Sequence, residues 1–282
     1  MSIDIVKARL AEYKCTDFQL EEQALKEITQ ELILMGLART DFFSKAEFHG
    51  GTALRILYQL PRFSEDLDFA LLKPNKQFSL LPYIKSLSEE LLAFGYRFEI
   101  KDRSTAESAV KKAFLKDDSI GKIMVLERSG MAKKMVIKLE IDSNPPLGAE
   151  TELKKLTFPV EFGVLAKNLP SSFSGKLHAL LCRGYVKGRD WYDFIWYVSK
   201  KTPINYLLLK NSFMQNGPYQ NLDLPYDKSW LTDELTKKIN DIDWKKATRD
   251  VARFLDLTQQ PSLKSWGKEF FHHFVEKLNE YL

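Results

Sequence analysis

Cysteine is nearly absent: Cys15 and Cys182 stand far apart in a chain of 282 residues. Two such residues exclude a disulfide framework and the clustered ligand spacing of a structural zinc site. Also missing is any apolar run near the roughly 18 residues that a membrane span needs. Met1 to Lys14 carries charges throughout and lacks the apolar core of a secretory signal. There is no internal repeat and no low-complexity tract. With 44% hydrophobic and 28% charged residues, the composition lacks a disordered signature as well. These absences leave a globular protein of the cytoplasm, with no membrane partner, and room for one large domain or two ordinary ones.

What is present is mildly basic. The formal charge is +4, and lysine doublets recur at Lys111-Lys112, Lys133-Lys134, Lys154-Lys155, Lys200-Lys201, Lys237-Lys238 and Lys245-Lys246. Any one doublet suits a solvated helix face or loop tip; together they suit a surface that meets a polyanion such as RNA.

Periodicity divides the chain. Thr16 to Leu37 reads as an amphipathic helix with a capping box at Thr16 and Gln19, a face of Leu25, Ile28, Leu32 and Met35, and Gly36 as terminator. Lys45 to His49, Gly50-Gly51 and Thr52 to Leu60 read as strand, glycine turn and helix, with Pro61 ending the helix. A strand over Leu67 to Leu72 follows, then a helix over Ser79 to Phe94 stopped by Gly95, then a strand over Tyr96 to Lys101. Ser108 to Leu115 fits helix or strand, and Ile123 to Glu127 favours strand. Met135 to Asp142 alternates cleanly, with Ile137, Leu139 and Ile141 opposite Lys138, Glu140 and Asp142. Thr157 to Val164 is one further strand. From Ser172 the pattern turns helical, through Ser174 to Gly184, Asp190 to Lys200, and two or three helices in Trp230 to Leu282. The fold class expected is α+β: a mixed sheet with flanking helices over residues 1–168, then a mostly helical domain over residues 169–282.

Chemistry concentrates in two stretches, Phe48-His49-Gly50-Gly51-Thr52-Ala53-Leu54-Arg55 and Arg62-Phe63-Ser64-Glu65-Asp66-Leu67-Asp68-Phe69. Glycines before a helix let the backbone approach a phosphate, whose oxygens then meet the first N–H groups of the helix and the Thr52 hydroxyl. Asp66 and Asp68 are two apart on a strand, so their carboxylates share a face. Held together they repel, unless a hard cation such as Mg²⁺ (or Mn²⁺), bound also to triphosphate oxygens, lies between them. Glu140 and Asp142, on the polar face of another strand, each suit the role of a third carboxylate. Either half of the pattern is common by itself. Gly-Gly-Thr opening a helix, thirteen residues, then Asp-x-Asp on the next strand is far more specific.

The chain resembles the nucleotidyltransferase superfamily and, more narrowly, the AbiEii/AbiGii abortive-infection toxin family. The narrower resemblance rests on His49 to Thr52, Arg62 to Phe69, Lys138 to Pro146, and the segment from Gly175-Lys176 through Lys187-Gly188-Arg189-Asp190-Trp191-Tyr192-Asp193-Phe194. It implies that Lys176 faces the triphosphate, that Asp190 completes the site from the helical domain, and that Asp193 is the weaker candidate of the two. Arg183 and Arg189 are candidates for phosphate contacts, and ion pairs are their plain alternative. The residues expected at the nucleotide are then Gly50, Gly51, Thr52, Lys176, Arg183 and Arg189. Those expected at the metal are Asp66, Asp68 and Glu140 or Asp142.

The function implied is a bacterial toxin, paired with a separately encoded antitoxin, that moves a nucleotide from a nucleoside triphosphate to an acceptor hydroxyl on RNA such as tRNA. Transfer to a small molecule or a protein hydroxyl is the alternative within the same chemistry. An Asp-x-Asp glycosyltransferase is the alternative outside it, and Gly-Gly-Thr ahead of the carboxylates argues against that. A binding module that keeps the scaffold without turnover is the non-enzymatic reading. His49 reads as shaping the glycine turn, since nucleotidyl transfer needs little beyond metal and positioning. Trp191, Phe194, Trp196 and Tyr197 lie at helical spacing and read as core rather than as a base-stacking platform.

Overall fold

A computed structural model of the chain describes residues 3–102, 109–117 and 135–282. The expected strand over Ile123 to Glu127 and the doublet Lys133-Lys134 lie outside these residues. The described chain divides into two compact units. The first holds residues 1–59, 63–145 and 151–166; the second holds Leu60–Arg62, Pro146–Glu150 and Lys167–Leu282.

The first unit is a mixed sheet backed by helices. In chain order it contains α1 (Ile3–Glu12), α2 (Phe18–Ala38), a 3₁₀ turn (Phe42–Ser44), β1 (Ala46–His49), α3 (Gly50–Tyr58), β2 (Asp66–Leu71), α4 (Leu81–Leu92), β3 (Phe98–Asp102), β4 (Val110–Asp117), β5 (Met135–Asp142), β6 (Thr151–Leu156) and β7 (Phe162–Lys167). Among the described residues the sheet has seven strands in the order β3-β4-β5-β2-β1-β7-β6. The central strands β2 and β5 run parallel, with Asp66 beside Lys138 and Asp68 beside Glu140. β1 runs antiparallel to β2 and sets His49 opposite Asp68.

Alternation sorts the side chains. Leu67, Phe69 and Leu71 of β2, Ile137, Leu139 and Ile141 of β5, and Ala113 and Leu115 of β4 are buried in one core with α2 and α4. Each large side chain there contributes about 1.5–3 kcal/mol by leaving water. Lys112, Lys138, Glu140, Asp66 and Asp68 take the other face and are partly exposed. The alternation of β5 is therefore what delivers charge to one face of the sheet.

The second unit is helical: α5 (Leu169–Cys182), α6 (Gly188–Ser199), α7 (Tyr206–Gln215), α8 (Lys228–Asp241), α9 (Trp244–Ala252) and α10 (Lys268–Tyr281). Its core is aromatic. Trp191 meets Trp244 and Phe271 edge-on with centroids 5.2 Å away in both cases, while Trp244 and Phe271 stack at 4.1 Å. Trp191, Phe194 and Tyr197 are buried, as their helical spacing predicts, whereas Trp196 is half-exposed beneath Lys200.

Several local expectations change. The cap of α2 is Asp17, whose carboxylate accepts from Leu20 N–H at 2.9 Å, rather than a Thr16–Gln19 box. Gly36 does not end α2; it lies inside it, where a Cβ would come within 2.5 Å of Leu87 Cδ1, so it serves close packing against α4. α3 ends before Pro61, at Gln59, which adopts the left-handed conformation (φ 61°) that closes a helix. Of the strand expected over Thr157 to Val164 only the end is strand, where β7 begins at Phe162; Thr157 to Glu161 links β6 to β7 and contains Pro159, which cannot donate to a ladder. The helix expected from Asp190 begins two residues earlier: Lys187 is the cap of α6, and Asp190 lies within its first turn.

Candidate active site

The sharpest feature of the first unit is the junction of β1 and α3. Gly50 has φ +81°, a conformation that side chains rarely adopt. A Cβ placed on it would lie 2.5 Å from Asp68 Oδ2. The glycine is therefore required both by the turn and by the carboxylate pressed against it. Gly50, Gly51 and Thr52 form the first turn of α3, whose N–H groups have no partner within the helix and favour negative charge.

Two side chains fix the run leading into Asp66. Thr52 is fully buried, and its hydroxyl donates to the Asp66 carbonyl. The expected contact of this hydroxyl with phosphate is thus replaced by a structural one; what Thr52 retains for an anion is its backbone N–H. From α2, the Gln30 amide donates to the carbonyls of Ser64 and Glu65 at 3.1 and 3.0 Å. The sequence does not mark Gln30 as a site residue. It is one of several polar side chains buried along α2, with Glu27, Thr29 and Glu31, and nothing in its spacing marks it out.

Register separates the two candidates for a third carboxylate. Glu140 lies beside Asp68, and Asp142 lies beside Ala70, one pleat farther along. The Asp142 carboxylate also accepts from Asn144 N–H at 2.9 Å, closing the turn that follows β5. Glu140 is held by two cations: Lys112 Nζ at 2.9 Å from Oε1 and Lys138 Nζ at 2.8 Å from Oε2. Burial alone would raise the Glu140 pKa, but these two ammonium groups outweigh it and hold the carboxyl below its ordinary value. Lys138 moves the opposite way. Burial disfavours its charge, yet Glu140, Asp66 and Asp68 together keep it protonated beyond its ordinary value.

Among the described residues, no group of three or more His, Cys, Asp and Glu side chains is gathered as a ready metal cage. The donor set fits Mg²⁺ nonetheless. This ion is ordinarily held by one or two carboxylates together with substrate phosphates and water, and Asp66 and Asp68 are two hard oxygen donors on one strand face beside a helix N-terminus.

The second unit carries its own charged cluster. Lys176 on α5 pairs with Asp190 at 2.6 Å and Asp193 at 2.8 Å, one turn apart on α6. Asp193, fully buried, also takes Arg62 in a two-pronged bond, 2.7 Å at each oxygen. Arg183 Nε lies 3.3 Å from Asp190, and its guanidinium covers Tyr185. Burial would raise the Asp190 pKa, but Lys176, Lys187 and Arg183 outweigh it and hold the group at about 2. Lys176 is thus placed by two aspartates rather than extended freely. Arg189 packs on Phe254 and lies 3.7 Å from Asp250, an ion pair rather than a demonstrated phosphate contact.

The family model for the nucleotidyl transferase AbiEii toxin of type IV toxin–antitoxin systems matches residues 32–275. The chain belongs to this family. Its fold is similar to MenT4, a nucleotidyltransferase toxin from Mycobacterium tuberculosis, with a TM-score of 0.54, 16% identity, and 96% of this chain and 98% of that one covered. It is also similar to JHP933 from Helicobacter pylori, with a TM-score of 0.50, 19% identity, and 92% and 96% covered. No curated protein sequence matches the chain. Membership makes the protein an enzyme of the nucleotidyl-transfer class within a toxin–antitoxin family. No helix among the described residues is long and apolar enough to cross a membrane.

Proposed function

We propose that the chain is a Mg²⁺-dependent nucleotidyltransferase toxin that moves a nucleoside monophosphate from a nucleoside triphosphate to a hydroxyl of an RNA such as tRNA. The observation that carries this reading is the close approach of Asp68 to Gly50 at the start of α3. It brings carboxylates for a cation next to backbone N–H groups for the phosphates that the cation accompanies.

The reaction is in-line attack of the acceptor hydroxyl on the α-phosphorus, with pyrophosphate leaving. Bound at Asp66 and Asp68, the metal supplies charge neutralisation and lowers the pKa of the attacking hydroxyl. Gly50 and Gly51 receive the β- and γ-phosphates on backbone N–H groups, joined by the N–H of Thr52. Glu140, in register with Asp68, is the better placed of the two further carboxylates to take the proton of the acceptor. From the helical unit, Lys176 is the group that family resemblance assigns to the triphosphate, with Asp190 and Asp193 fixing its position. The lysine doublets favour a polyanionic acceptor, and the toxin–antitoxin family supports an antitoxin partner encoded nearby.

The test is incubation with each α-labelled nucleoside triphosphate, Mg²⁺, and bacterial RNA or protein. Label entering small RNA, abolished in Asp66→Ala and Asp68→Ala, is the expected result. Label in protein or in a small molecule would move the acceptor, and full activity of the aspartate variants would remove the metal assignment.

A further inference from the structure

Seven charged side chains share the open face of β2, β5 and β4, and five of them adjoin one another in register: Asp66, Asp68, Glu140, Lys138 and Lys112, with Asp142 and Lys116 farther along. Their connections are unequal. Lys112 stands on β4 and reaches the far oxygen of Glu140, while Lys138 reaches the other oxygen from its own strand. Glu140 carries one negative charge and already has Lys112, so Lys138 brings a charge that Glu140 does not need. Lys138 is also the register neighbour of Asp66 on β2, on the same face of the sheet, so its charge is set beside the strand that carries Asp66 and Asp68.

We propose that Lys138 is a built-in competitor for the divalent cation, its ammonium drawing on the same Asp66 and Asp68 carboxylates that bind the metal. This rests on the nucleotidyl-transfer reading of those two aspartates. An ammonium is a compact point charge on a flexible stem, able to stand close to a carboxylate pair and to swing away. Its presence lowers the affinity of the site for metal alone. A metal that arrives with a triphosphate brings added negative charge, on which the displaced lysine can settle. Lys138 thus biases the site toward the metal–nucleotide complex over the free ion. It acts through the carboxylates as a positioning residue, and Glu140 is its tether rather than a primary metal ligand.

The test reads metal binding instead of turnover: Mn²⁺ titration of the full chain followed by electron paramagnetic resonance, without nucleotide. Lys138→Met should bind Mn²⁺ about tenfold more tightly than the native chain, the direction expected when a competing like charge is removed. Lys138→Gln, polar and of similar reach, should do the same and serves if the methionine variant fails to fold. Lys112→Met, on the far side of Glu140, should stay within about threefold of the native affinity. A purely structural Lys138 gives unchanged or weaker Mn²⁺ binding in both Lys138 variants, and that result overturns the proposal. Asp66→Asn and Asp68→Asn separate the two layers. If these variants bind Mn²⁺ as well as the native chain, the metal reading falls and takes the Lys138 role with it. If they lose Mn²⁺ while Lys138→Met gains nothing, the Lys138 role alone is wrong. In the native chain, acetylation of Lys138 followed by mass spectrometry should rise when Mg²⁺ is added; a constant yield speaks against displacement.

Discussion

Gly50 and Asp68 touch in a way that leaves no room for a side chain: a Cβ on the glycine would stand 2.5 Å from Oδ2 and 3.1 Å from Cβ of the aspartate. Together with φ +81°, this makes the position intolerant twice over. Gly50→Ala should destabilise the chain by about 1–3 kcal/mol and lower activity by about a hundredfold or more, since the carboxylate must shift. The control is Gly175→Ala, inside α5 with open space around its Cβ position, which should stabilise by about 0.5–1 kcal/mol. Urea melts and single-turnover transfer measure both.

The register of β2 and β5 separates Glu140 from Asp142. Glu140→Gln should lower transfer by about a hundredfold, whereas Asp142→Asn, which keeps an oxygen for the turn at Asn144, should cost under about tenfold. Equal losses in the two variants would contradict the assignment.

Arg62 and Asp193 form a buried two-pronged ion pair in the second unit. Without Arg62, the buried Asp193 carboxylate keeps only Lys176, an ammonium it shares with Asp190, so its charge is under-compensated away from water. Arg62→Met should therefore cost about 3–5 kcal/mol in urea unfolding. A double variant with both partners apolar should recover much of that loss, and failure to recover would show that the pair serves more than charge balance.

Stability should also carry a pH dependence from Glu31 on α2. Burial pushes its pKa up to about 7 from an ordinary 4.5, helped by Glu27 and Glu12 and opposed by Arg9. The folded pKa is the raised one, so this group's contribution is fully present below pH 4.5 and is lost as pH rises through about 7. Glu31→Gln should flatten that part of the profile, by about 2–3 kcal/mol between pH 5 and 8. Thermal melts of both proteins across that interval measure it; parallel profiles would show that Glu31 does not titrate there.

Much of the fold is legible in the sequence. The alternation of Met135 to Asp142 is clean because one face of β5 is core and the other is not, and the structure places β5 at those residues. The helices α1 and α7 give no clear periodic signal, since Ile3–Glu12 buries only Val6 and Leu10, and Tyr206–Gln215 bunches its leucines at Leu207, Leu208 and Leu209 and leaves Leu207 exposed. The buried Glu27, Gln30 and Glu31 of α2 disguised a helix packed on more than one side. The engagement of Glu140 by Lys112 depends on strand register, and the Arg62–Asp193 bond joins residues 131 positions apart. Neither follows from spacing along the chain. Thr52 shows the same limit in reverse: a hydroxyl beside two glycines looks free on paper and is spent on the Asp66 carbonyl.

Leu60–Arg62 and Pro146–Glu150 belong to the helical unit although both precede its main run from Lys167. That unit is therefore discontinuous along the gene, and no single boundary cuts it out whole. A fragment beginning at Lys167 would leave Asp193 without its guanidinium, and would lack the Gly148 carbonyl that accepts from Asn205 at 2.8 Å. Exchange of helical portions between family members by one crossover would break these bonds. Recombination should succeed only where the early segments travel with the late one, so the two units are inherited as one piece.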